Sequence, residues 1–272
     1  MKFEAVQRGL AELEYEPLTS PSVGRLLYEL ASRDGIDDLL ELGFGHGTST
    51  AYLAAALDEK GSGRVTTMDR TDALDRVPNL DQVLAHLGLG RWVRRVVAAT
   101  SYNWELLKIL EAQTAGTETE PCFDFCFVDG AHTWEIDGFA FLLVDRLLRP
   151  DRWLVLDDLR WSFATSPTLR ESESLRDLGE DERVANQVGK IVDLLVRPAG
   201  YDVRLVGNVA VAFKPGAEGH ELHRGDFDRL VLSSDGFISE LAFPHSIGGA
   251  RDAPASTEPA ASQVQEREAE TT

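Results

Sequence analysis

Cysteine and methionine are scarce in this 272-residue chain, with two of each, and so is positive charge. Cys122 and Cys126 stand four residues apart in an apolar stretch that reads as a strand. At ~3.3 Å per residue they lie about 13 Å apart, beyond the reach of a disulfide. Both are expected to be buried thiols rather than redox or zinc groups. Lys and Arg total 27 against 46 Asp and Glu, a formal net charge of −19. That balance argues against holding nucleic acid or an anionic membrane by bulk charge, since such footprints are basic. Among the cations Arg outnumbers Lys 22 to 5, which is read as a genomic bias. Long hydrophobic runs are missing as well. The longest, Ala51 to Leu57, is far too short to span a bilayer, and Met1 to Arg8 lack the apolar region of a secretory signal. A cytoplasmic location is the expectation.

What is present is the composition of an ordinary globular protein, 43% hydrophobic and 27% charged, able to bury a sizeable core. The last 28 residues, His245 to Thr272, contain no Leu, Phe, Trp, Tyr or Met. They cannot bury enough apolar surface to offset ordering, and a disordered tail is expected there. Upstream, apolar strand-like runs alternate with helical patterns, the sign of parallel βαβ units. An N-terminal helical segment, 1–35, is expected to carry helices at about 3–14 and 20–33, the second with Ser20 as N-cap and Pro21 at N1. The main domain is placed at 36–244. Its expected strands are 38–42, 64–69, 93–98, 123–128 and 153–156, with a closing hairpin, 201–206 and 209–213, turned at Gly207-Asn208. Helices are expected at about 49–57, 80–87, 104–112, 135–148 and 182–197. Residues 219–243 resist placement.

The segment Glu41-Leu42-Gly43-Phe44-Gly45-His46-Gly47-Thr48 follows the first strand and opens a helix. In an α/β sheet that is where backbone approaches a nucleotide-like ligand, and glycine leaves room for it. The spacing is G-x-G-x-G rather than the dinucleotide G-x-G-x-x-G, and Glu41 precedes it. Both features turn the reading from a pyrophosphate toward S-adenosylmethionine, whose positively charged amino acid and sulfonium portions favour a carboxylate. Gly43, Gly45, Gly47 and Thr48 are the expected loop contacts; a merely structural glycine turn is the alternative. Asp69 ends the second strand and can accept ribose hydroxyls. Ser101 is placed to meet the adenine edge, or else is a plain helix N-cap. His46 lies within the loop.

Asp129 ends the fourth strand and Asp157-Asp158 the fifth, and neighbouring parallel strands bring such ends together. Converging carboxylates repel one another unless a cation neutralises them, and hard oxygen donors favour Mg²⁺, with Mn²⁺ or Ca²⁺ as relatives. The plainer reading has Asp129 opening a turn with Gly130 and Asp158 solvated. His132, three residues after Asp129, would sit over the same cleft and could take a proton from a polarised hydroxyl. Alone, a histidine before a helix is more often a cap; its nearness to the acids favours a functional reading.

Over about residues 36–214 these motifs resemble the class I S-adenosylmethionine-dependent methyltransferases, and within them the metal-dependent O-methyltransferases of macrolide sugars and related natural products. The generic part is Glu41 to Gly47 with Asp69. The specific part is Asp129-Gly130-Ala131-His132, then Leu148-Arg149-Pro150, then Leu156-Asp157-Asp158. The resemblance implies a Rossmann-like fold, a mostly parallel seven-stranded sheet with helices on both faces and a closing antiparallel hairpin. It implies Asp129, Asp157 and Asp158 as metal ligands, Asp129 also beside the cofactor, and His132 as general base. The chain departs from the family at Asp151-Arg152, where a Gly-Gly turn is common, and at Asp157, where relatives can carry Glu. Residues 159–181 occupy the position of a substrate-covering loop.

The expected function is therefore metal-assisted O-methylation of a small-molecule hydroxyl, on a sugar-bearing or other natural product. A catechol-like phenol is the alternative acceptor. Rival classes are a non-catalytic S-adenosylmethionine-binding protein and, against the glycine spacing, a nicotinamide-dependent oxidoreductase. The segment 159–181, with Trp161 and Phe163, could dock a partner instead of covering substrate. A homo-oligomer is compatible with all of these.

Overall fold

A computed structural model of the chain describes residues 1–166, 169–170 and 172–216. The expected tail at 245–272 and the unplaced 219–243 lie outside the described residues. In chain order the elements are α1 (Phe3–Ala11), α2 (Pro21–Ala31), β1 (Asp38–Leu42), α3 (Thr48–Lys60), β2 (Arg64–Arg70), α4 (Leu80–Leu87), β3 (Val93–Ala98) and α5 (Tyr102–Gln113). They continue with a small hairpin, β4 (Thr114–Ala115) and β5 (Glu118–Thr119), then β6 (Phe123–Val128), α6 (Phe139–Leu147), β7 (Leu148–Leu156), α7 (Glu180–Val184), α8 (Gln187–Ile191), β8 (Asp202–Val206) and β9 (Val209–Lys214).

The main sheet has seven strands in the order β3-β2-β1-β6-β7-β9-β8. The first five run parallel, and β9 pairs antiparallel with both β7 and β8. β6, Phe-Asp-Phe-Cys-Phe-Val, is buried throughout, as a central strand covered on both faces must be. Successive side chains divide between two cores. Leu39, Phe125, Phe127, Trp153 and Val155 face the core that holds α1 to α4 residues such as Phe3, Leu27, Leu53 and Leu84. Leu40, Cys126, Leu154 and Leu156 face the core that holds Leu106, Phe141, Val144 and Val188. Helices on both faces, the strand set and the closing hairpin all follow the expectation. Cys122 and Cys126 are free thiols.

Local chemistry explains the helix starts. Ser20 Oγ accepts the Val23 N–H at 3.3 Å with Pro21 behind it, and Asn79 with Gln82 forms a reciprocal capping box on α4. Two expected helices differ from a continuous spiral. The stretch at 135–148 opens with a wide turn, Trp134–Gly138, before α6. The stretch at 182–197 divides into α7, α8 and a wide turn, Val192–Val196. The division falls at Ala185 and Asn186, whose backbone leaves the helical region, and the buried Gln187 that opens α8 bonds across it: Oε1 accepts the Trp134 N–H at 2.7 Å and Nε2 donates to the Glu182 carbonyl at 3.5 Å. β7 starts five residues earlier than expected, at Leu148, its register with β6 shifting between Phe123 and Phe125. Asp151, in place of the family's turn glycine, sits at φ +57, a region Asp enters more readily than most residues.

Candidate functional site

The chain runs from β1 outward to β2 and β3, then returns to lay β6 on the other side of β1. That reversal makes the crevice at the carboxyl ends of β1 and β6 the switch point where open α/β sheets take ligands. Leu42, Val128 and Leu156 lie in register across β1, β6 and β7. The residues that follow them, Gly43, Asp129 and Asp157, therefore emerge side by side.

Gly43 shows why this loop needs glycine. Its φ is +92, and a Cβ there would stand 2.2 Å from the Asp129 carbonyl oxygen, so the loop presses against the end of β6. Gly47, at φ +97, precedes α3 and would put a Cβ 2.6 Å from Leu80 Cδ1. The loop is braced by Asp69: Oδ2 accepts the Phe44 and Gly45 N–H groups at 3.0 and 2.9 Å, and Oδ1 accepts the Arg70 N–H at 2.7 Å. A carboxylate offers about four acceptor directions, so one stays open for a ligand hydroxyl.

Glu41 departs from its expected place. The side chain is 0% exposed, and Thr50 and Thr67 both donate to Oε2 at 2.5 Å while Oε1 has no partner. Burial pushes its carboxyl up to about 7, against the lowering effect of the Ser49, Thr50 and Thr67 hydroxyls. Glu41 thus ties β1 to β2 and to the start of α3. Thr48 is buried too, its Oγ1 hydrogen-bonded to the Tyr15 hydroxyl at 2.8 Å. Ser101 is an N-cap, accepting the Asn103 N–H at 3.0 Å. His46 Nδ1 meets the Pro78 carbonyl at 2.6 Å, and its ring tilts against Tyr15.

At the β6 and β7 ends, donor atoms of Asp129, His132 and Asp158 lie within 4.8 Å of one another. His132 Nε2 stands 3.6 Å from Asp158 Oδ2. The structure thus brings His132 to Asp129 and Asp158, while Asp157 turns Oδ1 to accept the Asp158 N–H at 2.8 Å. Asp157 remains electrically part of the group. Burial, then the Asp157 and Asp158 charges, hold Asp129 well above the usual carboxylate range. Burial likewise raises Asp157 to about 6. Carboxyls crowded and buried in this way resist ionising together unless a cation joins them. The Asp129 and Asp158 oxygens, hard donors, fit a hard divalent ion.

His132 and Asp158 both adopt left-handed backbone, φ +58 and +60, which costs about 1–3 kcal/mol unless the surroundings fix it. For His132 the fixing group is a buried pair that sequence reasoning passed over. Asp137 Oδ2 accepts the His132 N–H at 2.6 Å, the Tyr102 hydroxyl donates to Asp137 Oδ1, and the same hydroxyl accepts the Ala131 N–H at 3.1 Å. Asp137 was visible in the sequence as an acid inside the apolar run of a helix. The His132 ring then tilts against Trp161, centroids 5.3 Å apart, and Trp161 meets Phe163 edge-on at 5.0 Å. These aromatics place the described start of the 159–181 segment directly against the acid cluster.

Residues 40–159 match the model of a methyltransferase-domain family. Over that span the chain is similar to a methyltransferase domain. The O-methyltransferase from Bacillus cereus, in complex with SAH, is 22% identical, with a TM-score of 0.54, over 79% of this chain and 92% of that one. TomG, an O-methyltransferase from Streptomyces achromogenes involved in tomaymycin synthesis and bound to SAM, is 23% identical, with a TM-score of 0.53 over the same shares. The SAH-bound methyltransferase PaMTH1 of Podospora anserina is 16% identical, TM-score 0.53, over 78% and 87%. At these identities the likeness is one of fold. No curated protein matches the sequence. Among the described residues no helix is long and apolar enough to cross a membrane.

Proposed function

We propose that the protein is a metal-dependent S-adenosylmethionine O-methyltransferase acting on a hydroxyl of a sugar-bearing or other natural product in the cytoplasm. The observation that carries the reading is the cluster of Asp129, His132 and Asp158 beside the glycine loop at the switch point. Gly43, Gly45, Gly47 and Thr48, with Asp69 and Ser101 at the neighbouring strand ends, form the cradle for the cofactor. Asp129 and Asp158 are the leading donors for Mg²⁺, with Asp157 alongside. When bound, the ion polarises an acceptor hydroxyl and S-adenosylmethionine supplies the methyl group that the deprotonated oxygen takes from sulfur.

The chain's own residues do the rest. His132 Nε2 accepts the hydroxyl proton, and Asp158 Oδ2, 3.6 Å away, stabilises the imidazolium that results. Asp137 and Tyr102 fix the backbone that aims the ring. Positioning of two substrates supplies much of the rate in such reactions, and Trp161 with Phe163 supplies apolar surface for the acceptor. That aromatic surface also favours the second reading, a catechol-like phenol as acceptor.

Transfer of labelled methyl from S-adenosylmethionine to a panel of deoxysugar glycosides and dihydroxyphenyl compounds tests the reading. Activity should appear on one set, vanish in EDTA, return with Mg²⁺, and be lost in Asp158→Asn and His132→Asn. Transfer indifferent to EDTA and to Asp158→Asn contradicts the metal role; full turnover in His132→Asn at neutral pH contradicts the base role.

A further inference from the structure

We propose that Asn208, in the turn of the β8–β9 hairpin, is a positioning residue that aims Asp158 into the acid cluster. The inference rests on the metal reading above and adds a residue from a different part of the chain. β7 and β9 are antiparallel, with Leu156 opposite Ala210. Two further steps along each chain bring Asp158 opposite Asn208, beyond the last paired residues. There the turn residue makes three hydrogen bonds to three consecutive residues. Asn208 Nδ2 donates to Asp158 Oδ1 at 2.9 Å, the Asn208 backbone carbonyl accepts the Leu159 N–H at 3.0 Å, and Asn208 Oδ1 accepts the Arg160 N–H at 2.8 Å.

The consequence is a divided carboxylate. Oδ1 of Asp158 is held by the amide, while Oδ2 is left facing His132 Nε2 at 3.6 Å. An amide can donate to Asp158 and accept from Arg160 at once, which neither a carboxylate nor a hydroxyl of this reach can do in this geometry. The bonds also hold Asp158 at φ +60, a conformation that needs such fixing. Gly207, at φ +63, makes the turn on its own, so the side chain of Asn208 is free for this role. Residues that orient a metal-binding carboxylate through hydrogen bonds typically set affinity by about 10–100-fold.

The test is a double-mutant cycle on Mn²⁺ affinity, read by the loss of the free-ion paramagnetic signal, with no turnover involved. Asn208→Ala removes the side-chain bonds while keeping the backbone carbonyl that accepts the Leu159 N–H. It should weaken Mn²⁺ binding about 10–100-fold in the wild-type background and less than about 2-fold in Asp158→Asn, because the effect passes through Asp158. S-adenosylmethionine affinity, measured in parallel, should stay within about 2-fold, which separates positioning from general loss of fold. Equal weakening in both backgrounds, or none in either, overturns the role of Asn208 while leaving the metal site intact. Absence of Mn²⁺ binding by the wild-type protein overturns both together.

Discussion

Replacing Glu41 by Gln tests the buried carboxyl beneath the glycine loop. In the native protein burial raises this group from 4.5 to about 7, despite the threonine hydroxyls that donate to it. Below pH 4.5 both folded and unfolded chains hold the proton, and its contribution to stability is complete. Between 4.5 and about 7 the unfolded chain ionises while the folded one keeps the proton, so stability falls as pH rises through this window. The window is about 2.5 pH units wide, and at about 1.4 kcal/mol per unit the loss amounts to roughly 3 kcal/mol. Glutamine has nearly the same shape, still accepts from Thr50 and Thr67, and does not titrate. Urea unfolding of both proteins in EDTA, followed by far-ultraviolet circular dichroism from pH 4.5 to 8, isolates the effect because every other group cancels in the difference. The Glu41→Gln variant should gain on the native protein steadily with pH, by about 3 kcal/mol across the range. Parallel curves would refute the burial of an uncharged carboxyl at this position.

Three further outcomes follow from the same geometry. Gly43→Ala places a Cβ 2.2 Å from the Asp129 carbonyl at φ +92; S-adenosylmethionine affinity by calorimetry should fall at least ~10-fold, the equivalent of about 1.4 kcal/mol. Tyr102→Phe removes the donor to Asp137 and the acceptor for the Ala131 N–H, and the Tm should drop by roughly 3–6 °C, from about 1–2 kcal/mol of lost hydrogen bonding. Saturating Mg²⁺ should raise the Tm at pH 8 and do so progressively less below pH 6. Asp129 and Asp157 have raised folded-state values, the latter about 6, so at low pH they hold protons that the ion must displace. A Tm increment that is flat with pH would contradict ligation by these acids.

The architecture was legible because the parallel strands are short β-rich runs, and β1, β2, β6 and β7 end at an acid or glycine. Asp38–Leu42, Val93–Ala98 and Phe123–Val128 form where their composition placed them. Asp129, His132 and Asp158 were found from their positions at strand ends, which topology alone brings together. Less could be read where a side chain's partner is distant in sequence. The spacing of Glu41 from Gly43 carries no information about the Thr67 hydroxyl that donates to it from β2. Asp157 looked equivalent to its neighbour, yet the sharp backbone at Asp158 turns Asp157 back onto the chain. Asn208 read as a turn residue, since its link to Asp158 exists only through the β7–β9 register. The helical pattern at 182–197 concealed a break at Ala185 and Asn186, beside which Gln187 bonds to Trp134, 53 residues earlier.

The central claim is that the glycine loop and the acid cluster form one site for S-adenosylmethionine and a divalent ion. Calorimetric titration of S-adenosylmethionine into the protein with Mg²⁺ present, with NADH titrated in parallel, tests it most directly. The account predicts saturable binding of S-adenosylmethionine with no heat from NADH. Silence toward S-adenosylmethionine, or binding of NADH in its place, would contradict it.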